Sequence, residues 1–246
     1  MRLDLFLVEQ GFVKTRSQAS DLIRRGLVLV DGKKASKTGI EITSQSIEMV
    51  KESRYVSRGG EKLEQALIDF NINLHGKIAI DIGSSTGGFT DCALQHGVLF
   101  VYAYDVGSDQ MDVSLRNHPH IELHEETNIL TVSIPKADII FIDVSFTSIK
   151  PILKHLEGFK GEMVCLVKPQ FEAGPKHLKQ GILKDQKRTR EVLSDVLHTC
   201  RQLGFPIGGL KASRLKGKSG NQEYILYIHL KETHQNIDVL IGEALC

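Results

Sequence analysis

Residues 77–91 read KIAIDIGSSTGGFTD and place a glycine-rich turn directly after an apolar strand pattern. The residues that follow the turn begin a helical pattern. Strand, glycine turn and helix in this order are typical of the point where a doubly wound α/β sheet holds a nucleotide-like ligand. Glycine suits such a turn because the backbone can approach a ligand without a clash from Cβ.

The spacing of these glycines argues against a dinucleotide as the ligand. GSSTGG is not the GxGxxG fingerprint, so a pyrophosphate is not specifically indicated. Asp81 ends the first strand pattern, and Asp105 ends the second, in VYAYDVG, where a carboxylate usually meets ribose hydroxyls. S-adenosylmethionine has a ribose, an amino group and no phosphate, and it fits these acids. A plain glycine turn with two structural aspartates is the alternative that the loop alone leaves open.

Strand and helix patterns alternate through most of the chain. The strand patterns are Lys77–Ile82, Phe100–Asp105, Asp138–Asp143, Glu162–Val167, Ile207–Ala212 and Glu223–Leu230. The helical patterns are Glu61–Phe70, 88–96, 109–116, 147–156 and 186–203, and the tail 231–246 allows one more short helix. This alternation predicts an α/β fold with a doubly wound, Rossmann-like sheet and a crevice at the carboxyl ends of its strands.

The first 50 residues have a different organisation. Two short helical patterns are followed by LVLVDGKKA, a strand that ends in an Asp-Gly turn, and by EITSQSIEMV, a second strand. We therefore expect a small α+β domain over residues 1–52, a polar linker over 53–60 and the large α/β domain over 61–246.

Charge is distributed unevenly along the chain. Residues 1–62 hold 12 Lys+Arg and 8 Asp+Glu, whereas residues 63–246 hold 19 and 22. The basic N-terminal part indicates a surface that faces nucleic acid. Charge alone is equally compatible with a basic surface that only contacts water. The cations expected to follow a phosphate backbone are Arg16, Arg24, Arg25, Lys33, Lys34 and Lys37.

Several classes of protein are disfavoured by the same sequence. The four cysteines show no paired spacing, which argues against a zinc site and a disulfide framework. The longest apolar run near the start, Leu5–Val8, is too short for a signal peptide or a membrane span. We expect a cytoplasmic protein with no stable membrane insertion.

Two further strand patterns end in ionisable residues. ADIIFIDVSF brings Asp143 to the mouth of the crevice, and EMVCLVKPQFE brings Lys168 there, before a proline that stops the strand. A lysine after a mostly apolar strand is expected to be partly desolvated, which favours the neutral amine. The alternatives are a helix cap for Asp143 and a lysine that reaches out to water for Lys168.

Six motifs together resemble one family. SRGGEKL (57–63), DIGSSTGGFTD (81–91), YAYDVG, FIDVSF, VKPQFE and GNQEYIL (220–226) are similar, in this order, to the hemolysin-A-type (TlyA) family. That family joins an RNA-binding domain of the ribosomal-protein S-four type to an FtsJ-like methyltransferase domain. The resemblance implies ribose 2′-O-methylation with S-adenosylmethionine as cofactor. It also implies ribosomal RNA or ribosomal subunits as partner rather than DNA, and it leaves the oligomeric state open.

The resemblance also implies roles for single residues. The family's catalytic tetrad falls on Lys62, Asp143, Lys168 and Glu223, with Lys168 as the candidate general base. The residues expected to hold the cofactor are Asp81, Gly83, Ser84, Gly87, Gly88, Asp105 and Asn128. Two other function classes stay open at this point. One is a cofactor-binding ribosome-assembly factor without turnover, and the other is a membrane-active hemolysin.

Overall fold

A computed structural model describes residues 1–13, 15–24, 26–50, 54–217, 219–229 and 236–246, apart from the side chains of residues 18 and 21. The chain divides into two compact units, Met1–Ser53 and Arg54–Cys246.

The first unit packs two helices against a small antiparallel sheet. Its elements are α1 (Leu3–Glu9), α2 (Arg16–Arg24), β1 (Val28–Val30), β2 (Lys33–Lys34) and β3 (Ile47–Met49), with strand order β2-β1-β3. The predicted Asp-Gly turn is confirmed, because Asp31 and Gly32 both have positive φ between the paired residues Val30 and Lys33. The second predicted strand is shorter than expected, since only its last part pairs with β1.

The second unit is built on a seven-stranded sheet. Its strands are β4 (Ile78–Ile82), β5 (Phe100–Tyr104), β6 (Ile121–His124), β7 (Ile139–Ile142), β8 (Glu162–Val167), β9 (Ile207–Ala212) and β10 (Tyr224–Ile228). Its helices are α3 (Arg58–Asp69), α4 (Gly88–Gln95), α5 (Lys150–His155), α6 (Pro169–Glu172), α7 (Gln186–Gln202) and α8 (Ile237–Leu245). The strand order is β6-β5-β4-β7-β8-β10-β9, and β10 runs antiparallel to both of its neighbours.

The centre of this sheet is covered on both faces. Along β7, Ile140 and Ile142 belong to one apolar cluster, and Ile139 and Phe141 belong to another. This explains why the sequence of β7 is a continuous apolar run rather than an alternating one. The predicted doubly wound α/β class is thereby confirmed.

Three local predictions need correction. The predicted helix 109–116 does not form: Asp109 has a φ of +55°, and the Asp112 carboxylate accepts hydrogen bonds from Ser114, a local turn that competes with a helix. The edge strand β6 is absent from the predicted set because its sequence, IELH, is half polar. Helix α3 begins at Arg58 instead of Glu61, inside the stretch that the sequence predicts as a linker.

The topology creates a crevice where the chain leaves the central strands. Strand β4 lies between β5 on one side and β7 on the other. The loops that follow these strands therefore lead away from each other at the carboxyl edge of the sheet and leave a crevice between them. The turn after β4 begins with Gly83, at a φ of +83°. A Cβ on this residue would lie 2.8 Å from the carbonyl oxygen of Asp143, so glycine allows the two strand ends to come close together.

Candidate functional site

A cavity of about 1160 Å³ opens at this carboxyl edge of the sheet. The ends of β4, β5, β7 and β8 contribute to its walls, as do the start of α3 and the residues before β10. All four residues of the expected tetrad line it, namely Lys62, Asp143, Lys168 and Glu223.

Helix α3 reaches this cavity because of the glycines at its start. Gly60 packs against the buried ring of Tyr55, which leaves no room for a Cβ. A Cβ on Gly88 would lie 2.9 Å from the backbone nitrogen of Gly60, so the start of α3 lies directly on the start of α4. This close approach brings Lys62, two residues further along α3, to the cavity wall.

The first ion pair of the cavity joins Lys62 to Glu223. The Lys62 ammonium donates a hydrogen bond to Glu223 Oε2 at 2.5 Å, and both side chains are almost fully buried. Burial of one charge alone would be costly, so each group compensates the other. The contact also fixes α3 against the start of β10.

The second ion pair joins Lys168 to Asp143. Lys168 Nζ lies 2.7 Å from Asp143 Oδ1 and donates a hydrogen bond to Ser145 Oγ at 2.8 Å. The contact between Lys168 Nζ and Asp143 Oδ1 is an ion pair without hydrogen-bond geometry, because Oδ1 has no hydrogen-bond partner among the described residues. Pro169 occupies the first position of α6, so the strand ends at Val167 and Lys168 begins the next turn at the cavity.

The glycine loop lines the cavity with only part of its residues. Gly83, Ser84 and Gly88 form part of the wall, and Ser84 Oγ is buried without a hydrogen-bond partner in the described part of the chain. Asp81 and Gly87, which the sequence also assigns to the cofactor, are absent from the wall among the described residues. An orphaned hydroxyl on the wall is the kind of group that a polar ligand would satisfy.

Asp81 is fully buried beneath the loop. Its Oδ2 accepts a hydrogen bond from Thr90 Oγ1 at 2.6 Å, while Oδ1 has no partner among the described residues. Burial raises the pKa of Asp81 to about 7, and the neighbouring carboxylates of Asp143 and Asp105 act in the same direction. The hydrogen bond from Thr90 opposes this shift.

Asp105 occupies the cavity wall at the end of β5. Its Oδ2 accepts a hydrogen bond from the backbone of Ser85 at 2.8 Å, and its Oδ1 accepts one from the backbone of Gly107 at 2.7 Å. Asn128 also lines the cavity, and its side chain caps a short 3-10 turn by accepting a hydrogen bond from the backbone of Leu130. Both residues therefore line the cavity, and both stabilise the loops that carry them.

The cations predicted to face RNA lie in the first unit. Arg16, Arg24, Lys33, Lys34 and Lys37 are exposed, whereas Arg25 lies outside the described residues.

Arg16 belongs to a cluster that the sequence did not reveal. Buried Asp4 accepts hydrogen bonds from Arg2 Nε at 3.0 Å and from Arg16 Nη2 at 2.8 Å, and these contacts lower the pKa of Asp4 to about 2. The cluster holds two half-exposed guanidinium groups side by side.

Sequence reasoning missed several other residues of the cavity. The exposed Arg58 lines it next to Lys62, and Ser145 contacts Lys168. Phe146 also lines it, is 90% exposed and has a φ of +64°, a backbone conformation that is costly for an aromatic residue and often marks a functional site. Its ring lies 5.2 Å from that of Phe171. The motif FIDVSF contains Ser145 and Phe146, so their position next to Asp143 was the available signal.

Among the described residues, the helices are all too short or too polar to cross a membrane.

Comparison with known proteins adds independent information. Residues 55–230 match the model of the FtsJ-like methyltransferase family, and residues 1–45 match that of the S4 domain. A Bacillus subtilis relative that carries the name of a candidate rRNA methyltransferase, YqxC, is 41% identical over 93% of this chain and 85% of its own length. The 16S/23S rRNA (cytidine-2′-O)-methyltransferase TlyA of Mycobacterium tuberculosis is 39% identical over 92% of this chain and 89% of its own length.

A solved structure from Streptococcus thermophilus, which carries the name of a candidate hemolysin, is also similar. It is 36% identical, with a TM-score of 0.75, and the match covers 99% of this chain and 95% of that one. The geometry of the cavity, the two family models and these relatives agree with one another. The chain belongs to the hemolysin-A-type (TlyA) family of FtsJ-like methyltransferases that carry an N-terminal S4 domain.

Proposed function

We propose that this protein methylates the ribose 2′-hydroxyl of a nucleotide in ribosomal RNA, with S-adenosylmethionine as the methyl donor. The observation that carries the proposal is the presence of two lysine–carboxylate pairs, Lys62–Glu223 and Lys168–Asp143, on the wall of one cavity. The name of the Mycobacterium tuberculosis relative describes 2′-O-methylation of cytidine in ribosomal RNA.

The residues of the cavity fit the proposed cofactor. Gly83 and Gly88 let the loop pack closely against neighbouring backbone at the cavity wall, and the unpaired hydroxyl of Ser84 is available for a hydrogen bond. Asp105 offers carboxylate oxygens for ribose hydroxyls, and Asn128 borders the same space. When bound, S-adenosylmethionine supplies a methyl group on a positively charged sulfur. The cofactor roles of Asp81 and Gly87 are then indirect, since these residues support the loop from outside the wall.

Lys168 is positioned to accept the proton of the substrate hydroxyl. A ribose hydroxyl is a poor nucleophile until it loses its proton, so a positioned base contributes about 10²–10⁴-fold to the rate. Asp143 and Ser145 take up two directions around Lys168 Nζ. The contact with Asp143 and the hydrogen bond to Ser145 hold this nitrogen at the cavity wall, where a substrate hydroxyl can approach it. Asp143 and Ser145 are thus proposed to aim the base.

Lys62 and Glu223 are proposed to complete the charge arrangement. Lys62 brings a second buried positive charge to the cavity that holds Lys168. Glu223 keeps Lys62 in place through the buried hydrogen bond.

An exposed aromatic ring at the cavity supports a single nucleotide as substrate. Proteins that recognise single-stranded RNA stack its unpaired bases on aromatic side chains. Phe146 has the exposure and the position for this contact, and Phe171 backs its ring.

The first unit is proposed to bind the body of the RNA. We assign residues 1–52 to this RNA-binding domain and residues 61–246 to the catalytic domain. The exposed cations of the first unit, together with the Asp4 cluster, are suited to phosphate contacts that read shape more than sequence.

The test is methyl transfer to ribosomal RNA from cells that lack the gene. Radiolabelled S-adenosylmethionine is supplied, and the RNA is then hydrolysed in alkali. A 2′-O-methyl group blocks the attack of the 2′-oxygen on the adjacent phosphate, so the label should remain in alkali-resistant dinucleotides. Label that is recovered in single nucleotides would mean base methylation, and an absence of label would support a binding protein without turnover.

A further inference from the structure

A basic segment of the catalytic unit lies beside the cavity and has no role in the site described above. Residues 174–190, GPKHLKQGILKDQKRTR, contain six Lys or Arg and one Asp, whereas residues 63–246 as a whole contain more acids than bases. This segment, which we call the strap, connects α6 to the first turn of α7.

The middle of the strap is an ordered hairpin. The backbones of Lys179 and Ile182 exchange two hydrogen bonds of 3.0 Å. Between them Gln180 and Gly181 have φ values of +52° and +78°, as in a two-residue type I′ turn. Such a turn has one defined backbone geometry, so the hairpin holds residues 179–182 in a fixed arrangement.

The strap is fastened to the cavity wall by a buried amide. Asn221 is only 4% exposed; its Oδ1 accepts a hydrogen bond from the backbone of Leu183, and its Nδ2 donates one to the carbonyl of Gly181, both at 2.9 Å. Leu178, Gly181 and Asn221 also line the cavity. The hairpin is therefore part of the rim of the catalytic cavity.

The lysines of the strap point to a partner outside the protein. Lys176, Lys179 and Lys184 are exposed, and their ammonium groups form no ion pair within the described residues. The single acid, Asp185, uses its carboxylate to cap α7 by accepting from the backbones of Lys187 and Arg188. Uncompensated charge that is held on an ordered rim is suited to a flexible polyanion.

We infer that the strap is a second RNA-binding surface, which holds the phosphates that flank the target nucleotide at the mouth of the cavity. This inference rests on the proposed function. The charge balance of the sequence predicts RNA binding by the first unit alone. The inference adds a contribution to RNA affinity from the catalytic unit. Phosphate contacts of this kind position a substrate and do not read its bases.

The test compares two triple variants of the full-length protein. The first is Lys176→Gln/Lys179→Gln/Lys184→Gln. The control is Lys136→Gln/Lys154→Gln/Lys160→Gln, which removes the same charge from exposed lysines near the amino ends of β7 and β8, at the opposite edge of the sheet. Binding to purified total ribosomal RNA is measured over a series of KCl concentrations.

The strap variant should reduce the slope of log Kd against log salt by about 2–3, which corresponds to RNA binding weakened roughly 100- to 1000-fold at about 0.1 M KCl. The control should keep the wild-type slope, and a triple Lys→Arg variant of the strap should keep it too. Methyl transfer should show a raised KM for RNA with kcat unchanged. S-adenosylmethionine binding should not differ, which excludes misfolding.

Equal slopes for the strap variant and the wild type would overturn the inference, as would equal losses in the strap and control variants. The proposed function is tested separately by the wild type in the same experiment. A wild type that binds RNA without methylating ribose would remove the proposed function, while the salt slopes would still decide whether the strap contacts RNA.

Discussion

The ammonium of Lys62 and the carboxylate of Glu223 meet at 2.5 Å although 161 residues separate them in the sequence. Both side chains are nearly inaccessible to water, so neither charge can be left alone without a large cost. The pair therefore joins the start of the catalytic unit to its last central strand, and it does so at the wall of the catalytic cavity.

The first prediction concerns the coupling of this pair. Lys62→Met and Glu223→Gln should each lower the free energy of unfolding by about 3–5 kcal/mol, because each leaves an uncompensated buried charge. The double variant should lose much less than the sum of the two. Urea unfolding of the four proteins measures this coupling. Losses that add to within about 0.5 kcal/mol would show that the two groups do not stabilise each other.

The sequence predicts those parts of this site that depend on residues close to one another in the chain. The glycine loop, Asp105 and the strand-end residues Asp143 and Lys168 follow from local patterns, because a strand pattern and its end can be read from a few residues. The pairing of Lys62 with Glu223 cannot be read in this way. Its two members were identified only through the family resemblance, and their contact depends on the fold of the whole unit.

The errors have the same physical origin. Met111 and Leu115 are both buried and have helical spacing, yet the Asp112 turn replaces a helix there. Asp81 ends its strand pattern as Asp105 does, yet it is fully buried and does not line the cavity among the described residues; its role toward the cofactor stays a prediction. Whether a strand residue is buried or faces a site depends on the side of the sheet to which its side chain points. In a strand that is covered on both faces, the sequence does not show which residues point to which side.

The second prediction concerns the pH dependence of stability. The pKa of Asp81 is raised from its ordinary 3.8 to about 7, mainly by burial. The folded state then binds this proton more tightly than the unfolded state, so the contribution of Asp81 is full below about pH 4 and is lost as the pH rises through about 7.

Asp81→Asn cannot ionise and should escape this loss. Relative to the wild type, its free energy of unfolding should improve between those two pH values, by at most about 1.4 kcal/mol per pH unit. Urea unfolding over a pH series tests this. Asp109→Asn is the control, because it makes the same chemical change at a side chain that is 89% exposed. A constant difference between Asp81→Asn and the wild type at every pH would contradict the prediction.

The third prediction concerns Phe146. Loss of a base-stacking ring costs about 1–3 kcal/mol, so Phe146→Ala should lower kcat/KM for RNA by roughly 5–150-fold. Val113→Ala is a suitable control because Val113 is also strongly exposed, at 85%, but is absent from the cavity wall among the described residues. S-adenosylmethionine binding, measured by calorimetry, should stay unchanged in both. If Phe146→Ala weakens cofactor binding as much as catalysis, the ring serves the cofactor and not the RNA.

The last prediction concerns Lys168 as the base. Lys168→Ala should abolish methyl transfer while both ligands still bind, because the change removes a proton acceptor and no large contact surface. Lys168→Arg separates the two roles that a lysine can have at this position. A guanidinium preserves the positive charge beside Asp143, but it stays protonated at any working pH and cannot accept a proton.

A base role therefore predicts that the arginine variant is as inactive as the alanine variant. A role in charge compensation predicts that it keeps substantial activity. Single-turnover rates over roughly pH 6 to pH 9 add a second criterion, because a rate that depends on a general base follows the deprotonated fraction of that base. Active arginine variants with the wild-type pH profile would mean that the proton leaves the 2′-hydroxyl by another route. In that case the ion pair of Lys168 and Asp143 would serve only to hold the cavity in shape.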